Sequence, residues 1–454
     1  PFLSINMLIR YSFSALLLPL LLCQYVYSQD SGSGLSFDLS ARYRFELFDG
    51  FNARNYNDNS RDAIGRLDDR VLLQKIITGI TYRKGGFTAS VHLQDSRAFG
   101  WSLGHNEYPG LFRYHNGTDN DHYYTMNPQE EFFEIYDLFV EYRDLLKNLS
   151  VKIGRQKIFF GDYRMVEPGL WGNTGRWTWD AIKISYRKND EFIDIFGGGT
   201  KIHDPLRISV PFTLTEFWGG GFYAHKTLTS RIEAEPFFIL KREGSADYIR
   251  TLNINRNWIG LRILSPENQQ LIYDLLFTRE FGREAGKKIS AYGYSLKTGY
   301  RFDNLPASPE FSISYNYASG ERKGDDIIQA FDPAYGARAR LYGWMGIITW
   351  TNLSNPQVSL KLKPDKNRML VEVKYYIYLI PEPDDFLILN TIKIKKGSNH
   401  LGNETDLFLR YQYNKRWQFT GVLGHFKPGD LEQINFRDPE PAFWMGLQVQ
   451  FTLN

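Results

Sequence analysis

The chain has little of what many protein functions require. Its 454 residues include one cysteine, Cys23, and eight scattered histidines. With a single thiol no disulfide can close within the chain and no thiolate metal site can be assembled. HExxH, GxSxG, P-loop and paired Cys/His spacings are all missing, so the motif-bearing hydrolase, nucleotide and zinc chemistries lack their residues. Past the first thirty residues no apolar run approaches the roughly 20 residues that a membrane helix needs, and the mean hydropathy is negative. That excludes a helical membrane protein. No internal period marks a propeller or solenoid. A net charge of +3 is too small to decide charge preference, because it sums all surfaces alike. No cofactor, no metal and no nucleic-acid partner is expected.

The one cysteine falls in a leader. Met7 reads as the start, with Pro1 to Asn6 ahead of it reading as an overlong frame; Arg10 supplies a positive region and Ala15 to Leu22 a short apolar stretch. Val26-Tyr27-Ser28 then resembles a cleavage site, so residues 1–28 are expected to be a secretory signal and residues 29–454 one barrel domain. Leu22 stands where a lipoprotein signal wants a small residue, which argues against lipidation at Cys23.

What is abundant is alternation. Phe443, Met445, Leu447, Val449, Phe451 and Leu453 share one face, with Gly446, Gln448, Gln450 and Thr452 on the other. Near the N-terminus Phe37, Leu39, Ala41, Tyr43, Phe45 and Leu47 interleave with Ser36, Asp38, Ser40, Arg42, Arg44 and Glu46. Such segments are strands with one greasy side. A face carrying two arginines and two acids needs water or charged partners. Aromatic residues make up 16% of the chain, including 29 tyrosines, which suits girdles at two membrane interfaces. The fold expected is all-β, a transmembrane antiparallel β-barrel with apolar residues outside and a wet lumen.

Strand-like segments recur around Asp68 to Tyr82, Phe87 to Gln94, Glu134 to Tyr142, Leu149 to Ile158 and Ala181 to Arg187. Others lie near Glu191, Thr213, Arg231, Trp258, Leu271, Ser290, Phe311, Leu341, Val358, Met369, Leu407 and Trp417. Counting them gives about 18 strands, wide enough for an aqueous channel unless loops plug it. Tight turns such as Lys84-Gly85-Gly86 suit the periplasmic end, and Trp101 to Pro128 and Glu321 to Ala337 suit longer extracellular loops, some folding inward.

Several polar motifs stand out in order: Gly154-Arg155-Gln156, then Gly161-Asp162-Tyr163-Arg164, then Trp171-Gly172-Asn173-Thr174-Gly175-Arg176 with Asp180. Leu93-Gln94-Asp95-Ser96-Arg97 precedes them, and Tyr317-Ala318-Ser319-Gly320, Leu401-Gly402-Asn403-Glu404-Thr405-Asp406 and Gly424-His425-Phe426-Lys427-Pro428-Gly429 follow. From about Leu35 to Asn454 the chain resembles the alginate export family of outer-membrane channels. The resemblance implies an 18-stranded barrel in a Gram-negative outer membrane and passage of an anionic polyuronate through an arginine-rich lumen. Its partners would be an anionic polysaccharide or oligosaccharide and outer-membrane lipid, with periplasmic secretion machinery as a further candidate.

The pore-lining candidates are Arg42, Arg44, Asp95, Arg97, Arg155, Asp162, Arg164, Arg176 and Asp180. Planar guanidinium forks match the carboxylates of a polyuronate and stay charged at physiological pH. Neighbouring acids would position the arginines and keep sites weak enough for release; equally, the pairs would brace the wall and select nothing. Strict alternation from Val151 and Ile153 sets Arg155 on the lipid side, at a cost of roughly 2–4 kcal/mol mid-membrane. Either a bulge at Gly154 turns it inward or it sits at the interface. The same conflict arises at Asp95 and Arg97. Within transport, a substrate-selective uptake porin for small acids, sugars or oligosaccharides is the alternative; a blocked structural barrel is another. No catalysis is expected: Ser90 with His92, and His225, lack an accompanying motif. Asp119-Asn120-Asp121 and Asp325-Asp326 lack EF-hand spacing and read as solvated loops.

Overall fold

In a computed structural model, the structure describes residues 34–453 apart from 54–65, 103–112, 117–118, 126, 246, 249–252, 323, 338–339, 366–367, 384–392, 395–396 and 434–439. The expected leader and Cys23 lie outside the described residues, as do the side chains of Asp119 to Asp121. The wall is built from β1 (Gly34–Asp49), β2 (Asp69–Lys84), β3 (Phe87–Phe99), β4 (Glu131–Leu146), β5 (Leu149–Lys157) and β6 (Thr178–Lys188). It continues through β7 (Glu191–Thr200), β8 (Phe217–Thr229), β9 (Ile232–Glu243), β10 (Asn255–Leu264), β11 (Leu271–Glu284) and β12 (Lys287–Arg301). It ends with β13 (Glu310–Ala318), β14 (Leu353–Leu362), β15 (Met369–Leu379), β16 (His400–Gln412), β17 (Trp417–Pro428) and β18 (Ala442–Leu453).

Each strand pairs antiparallel with the next, and β18 returns to β1 from Leu39↔Leu453 to Asp49↔Phe443. The sheet has 19 members; the two-residue Ile327–Ile328 lies parallel to β12 and outside the wall, which leaves 18 in the barrel. Closure leaves no edge, so every wall backbone group finds a partner without water, the condition for crossing hydrocarbon. No helix occurs among the described residues.

Alternation separates the two faces. Ile80, Val140, Ile153, Ile182, Ile195, Ile259, Phe277, Ile313, Val358 and Leu447 point out and are exposed. Tyr82, Phe87, Tyr142, Tyr186 and Tyr300 ring the short-turn end, where residues 85–86, 147–148, 189–190 and 230–231 join neighbouring strands. Gly85 takes φ +57°, as a two-residue hairpin of this twist requires. At the opposite end the connections are longer, except for residues 285–286.

Two of those long connections fold into the barrel and hold each other. Residues 158–177 and 319–352 meet at a Val166↔Tyr335 bridge, with Glu167 N donating to Tyr335 O (2.9 Å) and Tyr335 N to Met165 O (3.0 Å). Their aromatic side chains pack on each other and on the wall: Tyr335 meets Trp177 of the first loop and Trp179 of the wall edge-on at 5.2 and 4.7 Å, and Phe331 meets Trp350 of its own loop at 5.0 Å. The buried core therefore sits within the lumen, contributed by inward wall residues together with the infolded loops. The strands expected near Thr213 and Leu341 are not strands: Thr213 lies in the connection before β8, and Leu341 belongs to the infolded loop, where its apolar stretch packs as plug.

Candidate functional site

The lumen is narrowed by the infolded loops into discrete cavities. One, of about 210 Å³, lies where β1, β2 and β18 face residues 168–170, and Arg42, Lys75, Tyr136 and Lys157 line it. Arg42 and Lys75 are paired across β1 and β2, both on the inward face. Arg42 donates to Leu170 O (3.0 Å), Gly172 O (2.8 Å) and Asn173 Oδ1 (3.3 Å), all neutral acceptors. Lys75 and Lys157 flank the Tyr136 ring at 5.3 and 4.5 Å, and Lys157 also donates to Thr178 Oγ1. None of these three cations is in an ion pair among the described residues. Cations left un-neutralised in a low-dielectric narrowing concentrate anions.

The other expected arginines are paired. Arg44 Nε meets Glu46 Oε1 at 2.5 Å, and its guanidinium lies 4.2 Å from the Trp171 ring centre. Arg164 Nε bonds Asp162 Oδ2 at 2.6 Å, and the Arg164 guanidinium lies beside the stacked Tyr342 and Trp350 rings at 5.4 and 5.6 Å from their centres. Burial alone would raise the Asp162 carboxyl, yet Arg164 beside it and Arg262 behind hold it below its ordinary value. Arg176 reaches Glu216 at 3.5 Å and covers Trp177 at 4.6 Å.

Asp95 and Arg97 are not in the lumen. The register pairs Asp95 with Ile76 and Arg97 with Gln74, the outward phase of β2, and the two form their own fork at 2.7 and 3.0 Å near the long-loop end. The alternation of β3 simply continues through them. Arg155 and Asp180 also keep the outward phase: the register runs unbroken through Ile153↔Ile182, Gly154↔Ala181 and Arg155↔Asp180, so Gly154 is not a bulge there. Arg155 is nevertheless fully buried. It grips Asp180 through two bonds (2.7 and 2.9 Å), reaches Glu134 at 3.1 Å and donates to Ser209 O at 2.7 Å. The connection 201–216 supplies Ser209 and Phe212, whose backbone N–H groups donate to Glu134 Oε2 (2.9 Å) and Asp180 Oδ2 (3.0 Å). Val210, Pro211 and Phe212 of that connection share a groove with outward Leu138, Val140 and Ile153. A strap on the outside of the barrel thus covers an outward ion cluster, a solution that alternation alone gives no sign of.

Ser90, His92, Asp137 and Asp38 do come together on the inward face. Ser90 Oγ and Asp137 Oδ1 both contact His92 Nδ1 (3.0 and 2.8 Å), while Asp38 Oδ2 contacts Nε2 (3.0 Å). A nucleophilic triad needs serine and acid on opposite ring nitrogens. Ser90 and Asp38 do lie on opposite nitrogens, but Asp137 occupies Nδ1 beside Ser90 and accepts the Ser90 hydroxyl (2.9 Å), so the serine proton goes to a carboxylate and not to the imidazole, and the cluster ties β1, β3 and β4 together. His225 bonds Glu235 at 3.1 Å in a similar brace.

A second lumenal cavity, of about 320 Å³, lies between the two infolded loops and β15–β16; Tyr163, Arg340, Trp344, Lys374, Asp406 and Phe408 are among its lining. Sequence reasoning missed Lys75, Lys157, Arg340 and Lys374, because it weighed arginines in motifs. A lone lysine on the inward phase of the otherwise apolar β2 was the available signal.

Among solved structures, OccK5 (OpdH) of Pseudomonas aeruginosa superposes with TM-score 0.57 at 12% identity over 92% of this chain and 98% of that one. A BenF-like porin from Pseudomonas fluorescens Pf-5 gives TM-score 0.57 at 10% identity with the same coverages, and OpdK of P. aeruginosa, solved with vanillate, gives 0.55 at 12%, also covering 92% and 98%. Identities this low speak for the fold alone. No curated protein matches. The model of the alginate export family matches residues 33–435, and with its closed 18-stranded wall the chain belongs to that family of Gram-negative outer-membrane β-barrel channels.

Proposed function

We propose that this channel passes an anionic polyuronate, alginate or a near relative, by diffusion across the narrowing formed by Arg42, Lys75 and Lys157. The observation that carries this reading is their convergence on one lumenal cavity with no carboxylate partner among the described residues, while Arg44, Arg155, Arg164 and Arg176 are held in ion pairs. A neutralised arginine braces the wall; an un-neutralised cation attracts a carboxylate each time a sugar unit passes. The two lysines offer point charges, not forks, so each contact is made and broken without the bidentate hold that would trap the polymer. The family match supports the substrate class. Membrane lipid would surround the outward apolar band, and periplasmic secretion machinery would deliver the polymer.

Uptake of small acids or sugars is the second reading. The lumenal cavities of about 210 and 320 Å³ are the size of small solutes, which favours it. Planar-bilayer recording of the purified protein separates the two. Anion-selective current blocked by alginate, with selectivity lost in Arg42→Ala, Lys75→Ala and Lys157→Ala, supports the polyuronate channel. Current indifferent to alginate but carrying or blocked by small acids moves the assignment to uptake.

A further inference from the structure

The cavity between the infolded loops and β15–β16 is built unlike the basic narrowing. Trp344 and Phe408 stack at 5.5 Å with an interplanar angle of 10°, and Trp171 meets Trp344 edge-on at 4.8 Å. Arg340 lies over the Tyr163 ring at 4.7 Å, and its Nε and Nη2, both buried, have no hydrogen-bond partner. Asp406 accepts the Trp344 backbone N–H (3.0 Å) through Oδ2 and leaves Oδ1 unsatisfied. Lys374 and Glu372 complete the polar side, with Glu372 accepting from Ser359 at 2.9 Å. A buried guanidinium with open donors beside a carboxylate with an open acceptor is a half-filled hydrogen-bond network, and such groups are costly unless a ligand completes them.

We infer that this cavity is a binding subsite for a single hexuronate ring. A pyranose has an apolar face of C–H groups, which the Trp344–Phe408 platform receives; its ring carboxylate is the acceptor that Arg340 lacks, and its hydroxyls are donors for Asp406 and Glu372. An inorganic anion would satisfy Arg340 but gain nothing from the rings and offer no set of hydroxyls to the three lining acids, Asp162, Glu372 and Asp406. A neutral sugar would stack but leave Arg340 unpaired. The volume of about 320 Å³ sits at the lower end of small-ligand sites, roughly 300–1,000 Å³. The inference deepens the polyuronate reading and rests on it, while using none of its three narrowing cations.

The experiment is time-resolved current block by trimannuronate and, separately, by cellotriose, in wild type, Trp344→Ala, Arg340→Gln and Arg340→Lys. Trp344→Ala keeps the backbone bond to Asp406, and retained heat-modifiable gel mobility confirms an assembled barrel. Trimannuronate dwell time is expected to fall roughly three- to tenfold in Trp344→Ala, what one ring contact supplies, and to fall in Arg340→Gln with partial rescue in Arg340→Lys. Dwell times unchanged in both Trp344→Ala and Arg340→Gln, with block still abolished by the narrowing variants, overturn this subsite and leave the polyuronate channel standing. Block by cellotriose equal to that by trimannuronate, insensitive to Arg340, overturns the uronate assignment and the polyuronate reading together.

Discussion

Arg42 and Arg155 carry the same charge in one barrel wall, and what surrounds each sets its role. Arg155 is buried among Asp180, Glu134 and Ser209. Removing it leaves Asp180 without its cation, while Glu134 keeps Lys201 at 3.5 Å, and losing one partner of a buried pair costs about 3–5 kcal/mol. Arg155→Ala is therefore expected to lower the urea midpoint of the barrel in lipid vesicles strongly while leaving ion selectivity intact. Arg42 bonds only neutral oxygens, so Arg42→Ala is expected to do the reverse, reducing the anion-to-cation permeability ratio measured from reversal potentials with a small change in stability. The inward phase of Arg42 and Arg44 was legible in β1 because six inward positions alternate without interruption. Asp95, Arg97, Arg155 and Asp180 were candidates for the lumen, with Arg97 and Arg155 left open between lumen and interface; what alternation did not show is that outward charges are matched to each other and, for Arg155, roofed over.

At the scale of elements, most strands were readable, and of the loops only that some would fold inward. A period of two is a local property of the chain, but whether a loop enters the lumen, caps it or runs down the outside depends on contacts hundreds of residues away. Leu341 illustrates this: an apolar stretch in a loop has the composition of a strand and the burial of a plug. The plug docks tightly at Gly343, which has φ +126°, and a Cβ there would lie 1.9 Å from Tyr378 Oη and 2.7 Å from Glu404 Oε2. Gly343→Ala is expected to dislodge residues 319–352 from β15 and β16 and raise single-channel conductance, with heat-modifiable gel mobility unchanged. For the outer strap, replacing residues 206–212 with a Gly/Ser linker uncovers the Arg155 cluster to hydrocarbon. The expected outcome is a lower midpoint of thermal unfolding, reported by the loss of SDS-resistant mobility, with conductance and selectivity preserved.

For the whole molecule, closure governs stability more than any core. The outward band faces hydrocarbon, and Ile259 is 55% exposed on it. Ile259→Arg is expected to destabilise the folded barrel by roughly 2–4 kcal/mol, read from equilibrium unfolding in vesicles. The closed all-β architecture was legible from the two ends alone, since β1 and β18 share an inward polar phase and pair over their length. The number of strands followed from counting, and infolding of some long loops was expected, but which loops would enter was not legible, because loop composition does not encode which side of a wall a loop takes. The strap adds a constraint on inheritance. Glu134, Arg155, Asp180 and Ser209 are far apart in sequence yet depend on one another, so a lineage can lose the ion cluster or the strap only by losing both. Homologues with an aliphatic residue at the position of Arg155 are expected to have a shortened 201–216 connection and no acid at the position of Asp180, a pattern that comparison of many family sequences would reveal or refute.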